Sequence, residues 1–288
     1  MVTKLNGALP DNIGHYRAAV FDVDGTLARD DSHVTDETIK ALRRLADTGI
    51  PVIIATGRMA PAAVSILERM GASGYAIGCN GAIAVHTDHD EPVSVTPIQE
   101  DIYDEALTFC RESQVDVAIF TPTKLVAERR AETYHFVMES NEGMVPEIAD
   151  LSEIPAADRL KFMIYVSHEQ DPVVGPALRE RFPGVMKTLP EYYEINEPGV
   201  SKWVGVSAAI GDLGIAADEV LGMGDSENDL SWLTQVGLPI AMENAFDNVK
   251  AVCTYEIGNN EDDSAAAFIH QWADYREDAG LDTENAIA

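Results

Sequence analysis

Ala18-Ala19-Val20-Phe21-Asp22-Val23-Asp24-Gly25-Thr26 is an apolar run that stops abruptly on two carboxylates and a glycine. A short apolar run that ends in turn chemistry is the pattern of a buried parallel strand delivering its last residues into a loop. Asp22 therefore belongs at the carboxyl end of a strand. Downstream, the stretch 35–48 repeats apolar residues at Ile39, Leu42 and Leu45, opens on Thr35 and stops at Gly49, which predicts a helix. A second strand over 51–55, a helix over 61–70 with Pro61 in its first turn, and a third strand over 75–79 before Asn80-Gly81 complete a βαβαβ unit.

The rhythm changes after residue 82. Strand-like runs at 93–95, 115–120, 125–127, 162–166 and 192–195 flank helices near 99–113 and 172–182. Alternation then resumes with a helix over 201–213, a strand over 220–223, a helix over 226–234, and strands near 239–242 and 252–255. The expected fold is α/β, with a Rossmann-like parallel-sheet core from 1–82 and 200–288 and an inserted α+β domain at 83–199. A chain of 288 residues, 46% of them hydrophobic, is large enough for two cores. The acidic, small-residue-rich end, 277–288, is expected to fray.

Lys and Arg total 20 against 49 Asp and Glu, a formal charge of −29, and no stretch gathers enough basic residues to follow a phosphate backbone. Nucleic acid and anionic membranes are therefore not expected partners. Screening confines the repulsion of small phosphates to about 8 Å at physiological salt, so a phosphate site here must carry its own cation. Cys79, Cys110 and Cys253 are odd in number and lack metal-site spacing, which argues against a disulfide framework or zinc. No window approaches the roughly 18 apolar residues of a membrane span, and the first sixteen residues lack an apolar targeting segment. The reduced cytoplasm is the expected compartment, and the sequence sets no oligomeric state.

In open α/β sheets, ligands gather outside the carboxyl ends of the strands. Four polar clusters fall at such ends: Asp22-Val23-Asp24-Gly25-Thr26, Thr56-Gly57-Arg58, Ser201-Lys202 and Gly224-Asp225-Ser226-Glu227-Asn228-Asp229. Asp22, Asp24 and Asp225, with Asp229 near them, place too much negative charge in one pocket unless a cation neutralises it. An oxygen-only donor set suits Mg²⁺, whereas zinc would call for His or Cys. One carboxylate, Asp22, could then attack phosphorus and form an acyl phosphate. Asp24 would protonate the departing alcohol and later deprotonate the hydrolytic water. Lys202 and Thr56, the latter with Gly57 in its turn, would hold the phosphoryl oxygens.

These four clusters, in this order, resemble the motifs of the haloacid dehalogenase superfamily, and more narrowly its Cof-like type IIB sugar-phosphatase branch. The resemblance implies Mg²⁺ held by Asp22, the Asp24 carbonyl and Asp225. It further implies that Asn228 helps hold phosphate and that Asp229 fixes Lys202 or metal-bound water. Asn80-Gly81 and Asn244-Ala245 resemble further branch signatures bordering the pocket, and the insert at 83–199 resembles the branch's mobile cap. Trp203, Glu243 and Asp263-Ser264-Ala265 depart from the usual pattern, and Trp203 and Glu243 are expected to reshape the pocket.

Each cluster alone has a blander reading. Asp-x-Asp-Gly-Thr makes turns or calcium-like loops, Thr56-Gly57 a helix entry, and Lys202 a solvated first-turn residue. Arg58 fits a phosphate contact and a pairing with an acid equally well. The four clusters in one order favour hydrolysis of a small phosphorylated metabolite, plausibly a sugar phosphate. The alternatives are mutase-type phosphotransfer and a phosphate sensor without turnover, both disfavoured by the intact pair Asp22 and Asp24. The seven histidines share no close ligand spacing, His86 and His89 being the nearest to it.

Overall fold

The computed structural model describes residues 2–5, 7–141 and 143–281. Its larger sheet has nine strands. In spatial order these are Thr3–Lys4, Tyr255–Glu256, Leu238–Ala241, Val220–Gly224, Ala18–Asp22, Val52–Ala55, Tyr75–Gly78, Ile83–His86 and Ser94–Val95. The first seven run parallel, and the last two are added antiparallel. The central strand, Ala18–Asp22, is buried along its whole length, as an apolar run covered on both faces must be.

Helices Asp36–Asp47, Ala60–Met70 and Ser264–Asp278 pack in one group, and Lys202–Asp212, Leu230–Leu233 and Asp247–Val252 in a second. Thr35 caps the first of these helices, its hydroxyl accepting from the Thr38 amide at 3.1 Å, as the sequence pattern requires. Most of the apolar core lies against this sheet, with Trp232 and Trp272 fully buried in it. Trp203 packs partly buried against the same core.

A second, six-stranded sheet runs in the order Met186–Leu189, Tyr192–Ile195, Lys161–Tyr165, Asp116–Phe120, Leu125–Ala127 and Glu147–Ile148. Helices Glu100–Glu112 and Asp171–Arg181 contribute Tyr103, Leu107 and Leu178 to its own apolar cluster. The segments Ile83–His86 and Ser94–Val95, expected within the inserted unit, pair instead with the larger sheet. The chain leaves that sheet only after residue 95, because Ile83 and Ala84 are apolar and find strand Tyr75–Gly78 immediately behind them. The strand expected near 252–255 is also displaced: Val252 ends a helix, and pairing begins at Tyr255. Glu277 and Asp278 close the last helix, so the expected fraying at 277–288 does not begin there, and residues 282–288 lie outside the described residues. Cys79, Cys110 and Cys253 are all buried and free of disulfides. Among the described residues, no helix is long and apolar enough to cross a membrane.

Candidate active site

All four clusters meet at the carboxyl edge of the larger sheet. Asp22 ends the central strand, and its neighbour strand Val220–Gly224 runs parallel to it and delivers Asp225 beside it. Gly25 sits at φ +80°, and a Cβ there would lie 2.5 Å from Asp225 Oδ2. Glycine thus lets the loop after Asp22 fold down onto Asp225. Lys202 begins its helix, and Gly81, at φ +96°, allows the Asn80-Gly81 turn to pack on the Ser201 carbonyl, where a Cβ would come within 2.0 Å. Gly81 therefore seats Lys202 and does not border the cavity.

Lys202 is fully buried and donates to Asp22 Oδ1 at 2.5 Å and to Asp229 Oδ1 at 2.7 Å. Asp229 is completely engaged: Oδ1 also accepts the Trp232 indole N–H at 3.1 Å, and Oδ2 accepts the Asp225 and Ser226 amides at 3.1 and 3.0 Å. It works as a fixed counter-charge that aims Lys202 and shapes the Asp225 loop. Asp225 accepts from Thr26 and Ser226 hydroxyls at 3.0 and 2.9 Å. Carboxylate oxygens of Asp22, Asp225 and Asp229 all lie within 4.8 Å of one another. Three acids against one lysine leave excess negative charge in a buried place. Burial first, then the Asp229 charge, pushes the Asp22 carboxyl well above the usual range, although Lys202 pulls the other way. Burial and Asp229 push Asp225 up to about 6, against the hydrogen bonds it accepts. Desolvation opposes the charge on Lys202, yet Asp22 and Asp229 hold its ammonium above the ordinary value.

A divalent cation fits this cluster. The donors are all oxygens, Asp22 and Asp225 keep oxygens facing one another, and the charge deficit is the one a hard ion repairs.

Around this centre the other expected residues separate into those that face the cavity and those that support it. Asp24 stands at the mouth with its side chain half exposed. Arg58 forks onto its carboxylate, from Nε at 3.0 Å and from Nη2, so Arg58 pairs with the acid. Thr56 is fully buried, and its hydroxyl oxygen accepts the Arg58 amide at 3.1 Å. Asn80, in a left-handed conformation, accepts from Asn228 Nδ2 at 3.2 Å. Asn244 sits behind the first loop, donating to the Gly25 carbonyl at 2.8 Å, and is exposed away from the cavity. Glu243 is also outside, paired with Lys4 at the surface. Neither Trp203 nor Glu243 lines the cavity, which corrects the expectation that they reshape it: one is drawn into apolar packing, the other into a surface ion pair.

The cavity, about 360 Å³, lies between the two sheets and joins Asp22, Asp24, Gly57, Arg58, Asn80 and Asn228 to residues of the smaller sheet's side. Among the latter, Asn141, Lys161 and Glu194 were not singled out from the sequence. Lys161 and Glu194 did leave a trace, being charges set inside the otherwise apolar runs Lys161–Tyr165 and Tyr192–Ile195. Asn141, at the end of a helix, left none.

Fold and site together define a Rossmann-like enzyme of the phosphatase kind. More particularly, residues 19–269 match the haloacid dehalogenase-like hydrolase family, and the chain belongs to it, as the four motifs implied. An HMP-PP phosphatase of Serratia proteamaculans is 27% identical over 262 residues, covering 89% of this chain and 95% of that protein. A haloacid dehalogenase-like hydrolase from Bacteroides thetaiotaomicron superposes with a TM-score of 0.81 at 22% identity, over 89% of this chain and 99% of the other. A Thermotoga maritima protein gives 0.79 at 23% identity, over 89% and 97%. At those identities the two structures speak for the fold alone.

Proposed function

We propose that the protein hydrolyses a small phosphate monoester through an aspartyl-phosphate on Asp22, with Mg²⁺ as the cation. The observation that carries this reading is the convergence of Asp22, Lys202 and Asp225 in one buried cluster, with a second carboxylate, Asp24, two residues on at the cavity mouth. Asp22, Asp225 and the Asp24 carbonyl are the groups that would hold the ion, which when bound offsets the carboxylates and draws charge from the phosphoryl oxygens.

An Asp22 oxygen attacks phosphorus in line with the departing ester oxygen; the O–P bond to Asp22 forms as the ester O–P bond breaks. Asp24 gives its proton to the departing alkoxide, then takes one from the water that attacks the aspartyl-phosphate and restores Asp22. Arg58, bonded to both Asp24 oxygens, holds the carboxylate for the base step and releases one oxygen for the acid step. The Thr56 hydroxyl accepts from the Arg58 N–H, which leaves its own proton free to donate to a phosphoryl oxygen, and Asn228 contributes from the opposite loop through its second Nδ2 hydrogen. Lys202 supplies compact positive charge from below.

The substrate reading follows from size and company. A cavity of about 360 Å³ takes a phosphorylated metabolite of sugar or heterocycle size, and the Serratia relative is by name a phosphatase of HMP-PP. The chain from residue 96 to 199 serves as a cap that closes over the bound ester and excludes water other than the attacking one. Rapid-quench mass spectrometry with para-nitrophenyl phosphate tests the central step: a peptide containing Asp22 should gain one phosphoryl group. Turnover that persists in Asp22→Asn, or without any divalent ion, would defeat the proposal.

A further inference from the structure

The roof of the cavity carries a charge pair to which the steps above assign no role. Lys161 and Glu194 lie on neighbouring antiparallel strands, on the face turned to the larger sheet. Their side chains are 1% and 7% exposed, with Lys161 Nζ 3.0 Å from Glu194 Oε1. Each then reaches across to a loop of the larger sheet. Lys161 donates to the Gly57 carbonyl at 2.6 Å, and Glu194 Oε2 accepts from Asn80 Nδ2 at 2.7 Å.

What those two loop groups do next is decisive. The Gly57 carbonyl and the Arg58 N–H belong to one planar peptide, and that N–H donates to Thr56 Oγ1 at 3.1 Å. Fixing the carbonyl fixes the N–H, and with it the lone pair of Thr56 Oγ1 that is occupied, which confines its proton to the remaining positions. Asn80 has one acceptor end and one donor end. With its donor end held by a carboxylate that can only accept, its Oδ1 must turn to Asn228, whose Nδ2 it meets at 3.2 Å. The Asn228 Oδ1 is left buried without a protein partner, and the second hydrogen on Asn228 Nδ2 is the one it can offer to a phosphoryl oxygen. Both chains of contacts start on the roof and end on a group that holds phosphate.

We propose that Lys161 and Glu194 are positioning residues that orient Thr56 and Asn228 toward the phosphoryl group only while the smaller sheet is seated on the larger. The inference rests on the catalytic reading above. It makes closure a condition of the chemistry as well as a barrier to water, because with the roof lifted the 57–58 peptide and the Asn80 amide each lose the partner that sets their direction.

The test compares Lys161→Met, Glu194→Gln, the double variant and Lys161→Arg with the wild type, reading kcat and KM for para-nitrophenyl phosphate, Tm, and amide exchange at Arg58 and Asn80. Each first-named variant should lower kcat roughly 10- to 100-fold with KM little changed, well below its Tm. The double variant should be no worse than the worse single, because the pair acts as a unit, and Lys161→Arg should recover part of the loss. Exchange at Arg58 and Asn80 should quicken in both singles. A kcat within about twofold of wild type in both singles, or losses that multiply in the double variant, overturns the inference. If instead hydrolysis survives Asp22→Asn, the catalytic reading fails, and exchange alone decides the relay: quickened, it stands; unchanged, it falls.

Discussion

The floor and the roof of the cavity both bury a lysine, and they balance it differently. On the floor Lys202 faces Asp22 and Asp229 with Asp225 close by, so charge is left over. On the roof Lys161 faces Glu194 alone, with Gly57 and Asn80 completing the hydrogen bonds. A buried cluster that is neutral and satisfied can be purely structural; one that is short of positive charge has to be completed from outside. On the proposed mechanism the floor takes the metal and substrate, and the roof sets the geometry of closure.

The largest effect should separate them outright. Asp22→Asn keeps the shape and the hydrogen-bonding reach of the floor but removes the proposed nucleophile, and kcat should fall on the order of 10⁴-fold or more. Steady-state hydrolysis of an aryl phosphate measures it. A loss no greater than that of Lys161→Met would erase the distinction between a reacting group and a positioning one.

Next comes Lys202→Met. Removing one partner of a buried pair strands the other, at a cost of about 3–5 kcal/mol, and here two carboxylates are stranded. Lys4, whose side chain is 60% exposed, is the contrast: water and salt screen its pair with half-exposed Glu243, and the buried Glu256 that it also meets keeps Lys250 at 3.4 Å. Urea denaturation of Lys202→Met and Lys4→Met should show that gap. Equal destabilisation would mean the floor cluster is far better solvated than its burial indicates.

The same contrast explains how much could be read beforehand. Every floor residue lies in a short local pattern: Asp22 and Asp225 are legible because their strands fix the direction in which each loop leaves, whereas Lys202, expected at a strand end, opens a helix instead and is legible only as a member of the Ser201-Lys202 pair. The roof residues come from three separate elements, and nothing in a linear pattern says that Lys161 and Glu194 share a face. That is decided by a register between strands more than thirty residues apart. The last helix is another case. Ala265, Phe268, Ile269, Trp272 and Ala273 have regular helical spacing, yet in the sequence Asp263 before them is only a departure from a motif. In the structure Asp263 is held by Arg29 and Thr35, a contact across 228 or more residues.

Removing metal and changing pH sharpen the comparison on the floor alone. Asp225 rises from an ordinary 3.8 to about 6 in the folded protein, so in that window the folded state holds more protons than the unfolded one. Stability from this group is present below 3.8 and is lost as pH climbs through 6, on the order of 3 kcal/mol in all. In chelator, the Tm should therefore fall between pH 5 and pH 7.5, and Asp225→Asn should flatten part of that slope. Added Mg²⁺ should restore stability at pH 7.5, by about 2.7 kcal/mol at 100 times its Kd, and should do so much less in Asp225→Asn. A magnesium response that Asp225→Asn leaves intact would place the ion elsewhere.

The smallest effect concerns Glu243, expected in the pocket only because it departs from the usual pattern of the resembled branch. Its side chain points to Lys4 at 3.4 Å, half exposed, and its backbone carbonyl accepts from Lys250; neither contact reaches the cavity. Truncation to alanine keeps the backbone bonds and removes only an exposed ion pair. Glu243→Ala should therefore alter stability by less than about 1 kcal/mol and leave kcat/KM within about twofold across a panel of sugar and heterocyclic phosphates. Glu194→Gln, measured on the same panel, should lower kcat for every member, since it acts on the phosphate-holding groups common to all. If Glu243→Ala instead reorders the panel, substrate choice is being made from outside the cavity, and the division between a floor that reacts and a roof that positions would need a third participant.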